Sequence, residues 1–181
     1  MNNFLDLANA RRSTRVFDGR GIKREDLELC AEAARLAPSA CNSQPWKFII
    51  IDDPHAKEAV IKDTLSGIYK MNSFSKDAGA FIAIISEKMK FPAWMGGKVR
   101  NTDFRRIDIG IACAHLVLQA RELNIKTCIL GWFNEGRLKK ILSIPFWKKI
   151  ELVIAMGYND SEECPERRLK DKSEVVGFNK Y

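Results

Sequence analysis

Two stretches of the sequence concentrate side chains that could bind a ligand. The first is Arg11–Arg15, where three guanidinium groups and two hydroxyl groups fall within five residues. Arginine presents a fork of donors that matches phosphate oxygens, and serine or threonine adds a further donor. The stretch is therefore a candidate phosphate clamp. The alternative is an ordinary basic helix end, which the helix dipole favours, and taken in isolation the residues favour that alternative.

The second stretch, Pro38–Trp46, joins a helix-like segment to a strand-like segment. Four polar side chains, Ser39, Asn42, Ser43 and Gln44, lie between its two prolines, and a tryptophan closes it. Prolines fix φ and stiffen the backbone. A stiff polar loop on a rigid scaffold suits ligand binding better than simple connection. We therefore expect this loop to contact a flat cofactor with polar edges.

Length and composition limit the class of protein. A chain of 181 residues favours a single domain over 1–181. With 46% hydrophobic and 29% charged residues, it is typical of soluble globular proteins. The longest apolar runs, such as Phe81–Ile85, are far shorter than the ~20 residues that span a bilayer. Met1–Phe4 has no signal-peptide pattern, so we expect a cytoplasmic protein without a membrane partner.

The cysteines and histidines do not suggest a metal site. The five cysteines are widely spaced and form no CxxC pair, so neither a zinc ribbon nor a thioredoxin motif is supported. Reduced thiols are the expected state in a cytosolic protein. Only two histidines are present, and we expect no metal. The residues concerned are Cys30, Cys41, Cys113, Cys128, Cys164, His55 and His115.

Positive charge is concentrated in residues 88–106. The net charge is +7 overall, and this segment holds six basic residues against Asp103 alone, a net of +5. Such a patch could attract nucleic acid, a membrane surface or a phosphorylated small molecule. The alternative is a solvated loop without a partner. Because the patch lacks aromatic residues interleaved on a strand and any known nucleic-acid-binding motif, we expect no nucleic-acid partner.

Hydrophobic spacing predicts the elements that must position these stretches. Helical spacing is found at residues 3–11, 24–37, 55–70, 105–123 and 134–142. Apolar runs predict strands at 47–51, 80–85, 127–130 and 150–156, the first two buried on both faces. The expected class is α/β or α+β, with a central sheet of about four strands flanked by helices.

Two segments carry no predicted helix or strand. Residues 87–104 show no clear periodicity, which predicts a mobile loop that could act as a lid. The tail from Gly157 to Tyr181 is polar and has no core of its own. It ends in the apolar patch Val175–Phe178, which must pack on something.

Taken together, these motifs resemble the nitroreductase family of flavoenzymes. The Asn-Ser-Gln-Pro-Trp element within Pro38–Trp46 and the early Arg-Ser-Thr-Arg are specific. Weaker matches are Ala33–Leu36, Ile107–Gly110, Leu130–Phe133 and Arg167-Arg168 after Gly157-Tyr158. The resemblance implies an α+β fold with a mixed, mostly antiparallel central sheet flanked by helices and a C-terminal arm exchanged in a dimer.

The resemblance also implies a function. Members of this family pass hydride from NADH or NADPH through bound FMN to nitroaromatic, quinone or similar small acceptors by a ping-pong mechanism. They act as homodimers in which both subunits contribute to each flavin site. Because the flavin carries the chemistry, no catalytic side chain is expected. The alternative is a flavin-binding or redox-sensing module with little turnover.

The residues matching the family's cofactor site fall into three groups, assigned by resemblance. The FMN phosphate is expected to be held by Arg11, Arg12, Ser13 and Arg15, joined by Arg167 or Arg168, which makes the clamp the favoured interpretation of Arg11–Arg15. The loop residues expected to reach the partner's flavin are Pro38, Ser39, Ala40, Asn42 and Gln44. Asn72 is expected to hydrogen-bond the flavin ring, and Leu130 and Gly131 are expected to lie near its N5 edge, although Gly131 could instead be a simple strand-end glycine.

The chain also departs from the family pattern. It is short for the family, and residues 87–104 replace longer helical elements that shape the substrate pocket elsewhere. Phe91, Trp94 and Phe133 could stack on an aromatic acceptor, or they could fill the core. The substrate is therefore not carried over.

Overall fold

A four-stranded antiparallel sheet forms the centre of the protein. The computed structural model describes residues 4–160 and 167–181, so Cys164 lies outside the described residues. The strands are β1 (Trp46–Ile51), β2 (Ala80–Ser86), β3 (Lys126–Leu130) and β4 (Lys149–Gly157), in the order β1-β2-β4-β3. All three strand pairs are antiparallel, and one parallel bridge joins Ser13 to Thr127.

Helices cover both faces of this sheet. They are α1 (Phe4–Ala10), α2 (Arg24–Arg35), α3 (Pro54–Thr64), α4 (Phe91–Arg100), α5 (Phe104–Glu122), α6 (Glu135–Ile141) and α7 (Lys172–Val175), with 3₁₀ turns at Ala40–Asn42 and Gly67–Asp77. One core lies between the sheet and α2 and α5. A second core lies on the opposite face, beneath α3 and α6. The predicted α+β class with a central sheet is confirmed.

Apolar spacing explains where most of these elements form. Every residue of β2 is buried, because β2 lies between two other strands. The expectation that β1 is buried on both faces is wrong. β1 is an edge strand, so Lys47 is exposed and Phe48 to Ile50 are only half-buried. Asn134 caps α6, its side chain accepting a hydrogen bond from the Arg137 N–H at 3.1 Å.

The predicted mobile loop at 87–104 is wrong, because α4 occupies most of it. Pro92 lies in the first turn, where a missing N–H is tolerated. Asn101 ends the helix in a left-handed conformation, with φ 51°. A Cβ on Gly97 would lie 2.6 Å from the carbonyl oxygen of Thr102, so glycine is required there. The two glycines and the many exposed side chains of α4 obscure its helical spacing.

The helix predicted at 55–70 ends earlier, at Thr64. The Thr64 hydroxyl donates back to the Val60 carbonyl oxygen at 2.5 Å, and Gly67 adopts a left-handed φ of 62°. The 3₁₀ turns at Gly67–Asp77 then lead to β2. Within the described residues, no helix is long and apolar enough to cross a membrane. No group of three or more His, Cys, Asp or Glu side chains in those residues could hold a metal ion.

Candidate functional site

The Arg11–Arg15 segment is fixed against the beginning of β3. The backbone N–H of Thr14 donates to the carbonyl oxygen of Thr127 at 2.9 Å, beside the bridge between Ser13 and Thr127. The Arg12 guanidinium donates to the backbone oxygen of Asn9. These contacts hold the cationic segment along one edge of the sheet.

An unused donor lies beside this segment. The side chains of Arg11, Arg12 and Arg121 line a small cavity. The Nε of Arg121 is buried and has no hydrogen-bond acceptor among the described residues. A buried donor without an acceptor costs free energy, and a bound anion would supply that acceptor. The donor set therefore fits a phosphate group.

The positive charge of the segment also acts on a neighbouring thiol. Burial raises the pKa of Cys128 in β3, and the charges of Arg15 and Arg11 oppose that rise. The bridge between Ser13 and Thr127 places this charged segment beside the first half of β3.

The residues expected near a flavin ring lie at the opposite end of β3. The side chain of Asn72 is buried, and its amide nitrogen donates to the carbonyl oxygen of Trp132 at 2.5 Å. The indole N–H of Trp132 donates to the carbonyl oxygen of Ile68 at 3.2 Å. Gly131 is exposed, and a Cβ there would meet no atom within 4 Å. Open space therefore adjoins the backbone at the end of the strand.

These two groups of residues are connected by one short strand. Thr127 and Leu130 are three residues apart in β3, which corresponds to roughly 10 Å along a strand. Donors suited to a phosphate lie at the first end, and exposed backbone with a buried amide lies at the second. The structure therefore brings Arg11 to Arg15, Asn72, Leu130 and Gly131 to one edge of the sheet.

The Pro38–Trp46 loop has an unusual backbone. Cys41, Asn42 and Gln44 have positive φ angles of 51°, 51° and 48°. Such conformations cost most residues other than glycine about 1–2 kcal/mol each, and asparagine tolerates them better than most. The side-chain Nε2 of Gln44 donates to the Asn42 Oδ1 at 2.8 Å. The loop thus holds exposed amide groups in a strained conformation, which is typical of ligand-binding segments.

A buried carboxylate holds this loop. The two carboxylate oxygens of Asp108 lie 3.2 and 3.1 Å from the backbone nitrogen of Ala40, which donates to them. Asp108 is 4% exposed. Burial raises its pKa, and the hydrogen bond from Ala40 opposes the rise. Sequence reasoning did not single out Asp108 as a functional residue; its signal is an acidic residue in the otherwise apolar Ile107–Gly110 stretch.

The loop does not converge with the β3 residues in one chain. Leu130 pairs with Val153, and Val153 pairs with Ala83. Ala83 pairs in turn with Ile49 of β1. Trp46, where the Pro38–Trp46 loop joins β1, therefore lies three strand spacings, roughly 14 Å, across the sheet from β3, and three residues beyond the level of Leu130 in the direction in which β3 runs. Pro38, Ser39, Ala40, Asn42 and Gln44 are therefore separated from the other predicted site residues.

The remaining predicted residues lie on the tail. Arg167 and Arg168 are exposed, as is every described residue from 167 to 181. The exposed fractions of Val175 and Phe178 are 63% and 82%. The apolar patch of the tail therefore gains little burial within its own chain.

The sequence matches known proteins over most of its length. The model of the nitroreductase family matches residues 8–158. The chain is 31% identical to a protein of Archaeoglobus fulgidus named "Putative NADH dehydrogenase/NAD(P)H nitroreductase", covering 90% of this chain and 89% of that relative. It is 26% identical to a "Putative NAD(P)H nitroreductase" of Streptococcus pyogenes, covering 92% of this chain and 94% of that relative.

Two further comparisons extend this relationship. The chain is 25% identical to the iodotyrosine deiodinase 1 of Mus musculus, covering 96% of this chain and 68% of that relative. A solved structure of a nitroreductase family protein from Clostridium difficile 630 is similar, with a TM-score of 0.76, 27% identity and 99% of both chains covered. The sequence match and the shared fold agree, and the chain belongs to the nitroreductase family.

Proposed function

We propose that the protein is an FMN-dependent oxidoreductase. In this proposal it passes hydride from NADH or NADPH through bound FMN to nitroaromatic, quinone or similar small acceptors by a ping-pong mechanism. Family membership supports an oxidoreductase. The observation that carries the proposal is the arrangement of β3, with a fixed cluster of arginines at its first end and open backbone at its second.

Each end of the strand has its own role in binding the cofactor. Arg11, Arg12, Ser13 and Arg15 would hold the phosphate, because clustered charge-assisted donors suit a dianion. Leu130 and Gly131 would present backbone to the ring edge, and Asn72 would fix Trp132 behind them. FMN supplies the hydride chemistry when bound, while the protein supplies position and electrostatics.

The proposal includes a homodimer in which the Pro38–Trp46 loop reaches the partner's flavin. The loop lies roughly 14 Å across the sheet from Leu130, so a second copy offers the route by which both groups contact one cofactor. Exposed apolar surface supports an interface: Ile107 on α5 is 49% exposed, and Phe4 and Leu5 on α1 are 65% and 76% exposed. These side chains would be covered in the proposed dimer. Arg167 or Arg168 would arrive with the tail.

Binding and turnover are tested separately. We expect titration with FMN to quench flavin fluorescence in a saturable way, and steady-state assays to show reduction of menadione and nitrofurazone by NADH or NADPH. Saturable binding without turnover would instead indicate a flavin-binding or redox-sensing module. Protein that takes up no added FMN would contradict both.

The deiodinase relative suggests a second candidate reaction on the same site. Reductive removal of iodide from an iodinated phenol would use the same cofactor and the same protein contacts. Release of iodide from 3-iodotyrosine in the presence of reduced flavin would favour this reaction. Turnover of nitrofurazone without iodide release would favour the nitroreductase.

A further inference from the structure

A cavity of about 680 Å³ lies between α4 and the beginning of α5. This volume is within the range of small-molecule sites. Three aromatic side chains and three cationic side chains are among its lining residues: Phe91, Trp94, Phe104, Lys88, Lys98 and Arg105. The rings of Phe91 and Trp94 pack with centroids 5.9 Å apart. Asp103 also lines the cavity, which therefore combines flat apolar surface with an excess of positive over negative charge.

Arg105 lines this cavity, and its side chain is 42% exposed. Its Nε is buried and has no hydrogen-bond acceptor among the described residues. The nearest carboxylate oxygen in its ion pair, Oδ1 of Asp103, is 3.7 Å away, beyond hydrogen-bond distance. Asp103 therefore leaves the guanidinium of Arg105 without a close acceptor, and the exposed part of that group can donate to an anionic oxygen in the cavity.

The cavity borders the loop that the proposed function assigns to the flavin. The backbone N–H of Lys90 donates to Oγ of Ser43 at 3.3 Å, and that hydroxyl donates to the carbonyl oxygen of Ala40 at 2.6 Å. Arg105 lies three residues before Asp108, which holds Ala40 from the other side. The two helices that border the cavity are thus both hydrogen-bonded to the Pro38–Trp46 loop, α4 through its N-cap residue Lys90 and α5 through Asp108.

We infer that this cavity binds an aromatic electron acceptor that carries a carboxylate. Arg105 donates to the carboxylate, and the rings of Phe91, Trp94 and Phe104 contact the ring of the acceptor. Lys88 and Lys98 add positive potential at the cavity. The inference rests on the proposed function and names the substrate class of that same site.

Equilibrium binding tests the inference without turnover. We would titrate the FMN-supplemented protein with 4-nitrobenzoate and with its neutral analogue 4-nitrobenzamide, in the absence of a reductant, by calorimetry. We expect 4-nitrobenzoate to bind at least about tenfold more tightly, the effect of one charge-assisted hydrogen bond. Arg105→Gln should abolish that preference and leave 4-nitrobenzamide binding unchanged, whereas Arg105→Lys should keep part of it.

A matched control separates this contact from general charge. Arg100 is exposed on the same helix as Lys98 but does not line the cavity, so Arg100→Gln removes an equal charge and should keep the preference. Equal affinities for the two ligands in the unmodified protein, or an unchanged preference in Arg105→Gln, would overturn the inference. So would a higher KM for NADPH in Arg105→Gln with 4-nitrobenzoate binding intact, because the cavity would then serve the electron donor.

The same experiment distinguishes this inference from the proposed function. An Arg105-dependent preference for 4-nitrobenzoate in a protein that reduces no acceptor would support the cavity assignment and contradict the proposed function. Reduction of uncharged acceptors without any preference for the carboxylate would support the proposed function and contradict the cavity assignment.

Discussion

The carboxylate of Asp108 accepts a hydrogen bond from the backbone N–H of Ala40, and its two oxygens lie 3.2 and 3.1 Å from that nitrogen. This contact joins the first turns of α5 to the Pro38–Trp46 loop. α5 also carries the exposed Ile107, one residue away on the surface proposed for the dimer interface. The helix α5 therefore positions both the Pro38–Trp46 loop and the surface across which this loop is proposed to reach the partner subunit.

Removal of the Asp108 carboxylate should loosen the loop. Asp108→Ala leaves the Ala40 N–H without its acceptor, so we expect a loss of about 1–3 kcal/mol in the free energy of unfolding and weaker FMN binding. Asp108→Asn keeps one acceptor oxygen, so it should lose less of the free energy of unfolding and less FMN affinity. Urea unfolding and FMN titration measure the two effects. Unchanged FMN affinity in Asp108→Ala would show that the loop does not need this anchor.

The amide of Asn42 is expected to contact the cofactor. Asn42→Gly removes the amide but tolerates the φ of 51°, so FMN binding should weaken about tenfold, with the free energy of unfolding changed by less than about 0.5 kcal/mol. Asn42→Ala should lose the same affinity and about 1 kcal/mol more stability, because alanine tolerates that φ less well. A purely structural loop would instead lose stability and keep its flavin affinity.

The phosphate clamp predicts a difference between FMN and riboflavin, which lacks the phosphate. Arg15→Gln should weaken FMN binding about tenfold or more and leave riboflavin binding unchanged. The control is Arg35→Gln, which removes an exposed arginine of α2 that pairs with Glu32 and should alter neither ligand. Equal losses for FMN and riboflavin would place the Arg15 contact away from the phosphate.

A site shared between two subunits predicts complementation. Arg15→Gln and Asn42→Gly homodimers would each have two impaired sites. After subunit exchange, half of the dimers would be mixed, and each mixed dimer would hold one intact site and one doubly impaired site. About a quarter of all sites should then bind FMN normally, as measured by fluorescence titration of the mixture. No gain on mixing variants whose subunits demonstrably exchange would place both contacts within one chain.

Glu135 should make stability depend on pH. Burial alone would raise its pKa, but hydrogen bonds from Lys149, Lys139 and the Ile150 N–H outweigh burial and lower the pKa from 4.5 to about 2. A carboxyl whose pKa is lowered on folding stabilises the protein above its unfolded pKa, and that stability is lost as the pH falls from about 4.5 to about 2.

The matching variant is Glu135→Gln. At pH 7 it should be less stable by about 1–2 kcal/mol, a value discounted for solvent screening, and the difference should disappear near pH 2. Urea unfolding across this pH range measures it. Glu122→Gln, at an exposed residue near the end of α5, is the control. A difference that does not depend on pH would show that the Glu135 charge contributes no stability.

The sequence predicted the elements whose apolar spacing is regular. β2 and α5 were predicted within one residue at each end, because burial imposes a clear period on both. α4 was missed because glycines and exposed side chains dilute its pattern. The burial of β1 was overestimated because an apolar run alone does not show whether a strand lies at the edge of a sheet.

The candidate site was predicted as a set of residues but not as an arrangement. The polarity of Asn42 and Gln44 was visible in the sequence, whereas their left-handed backbone was not, because neither residue type requires it. The role of Asp108 depends on a contact with Ala40, 68 residues away. The separation of the loop from Leu130 follows from strand order, which apolar periodicity does not encode.

The absorbance spectrum of the purified protein tests the central claim most directly. The protein, supplemented with FMN and freed of excess, should show the yellow absorbance of bound oxidised flavin. Under anaerobic conditions, NADH or NADPH should bleach that absorbance, and menadione should then restore it. A colourless protein that retains no FMN, or a bound flavin that neither nicotinamide bleaches, would contradict the claim.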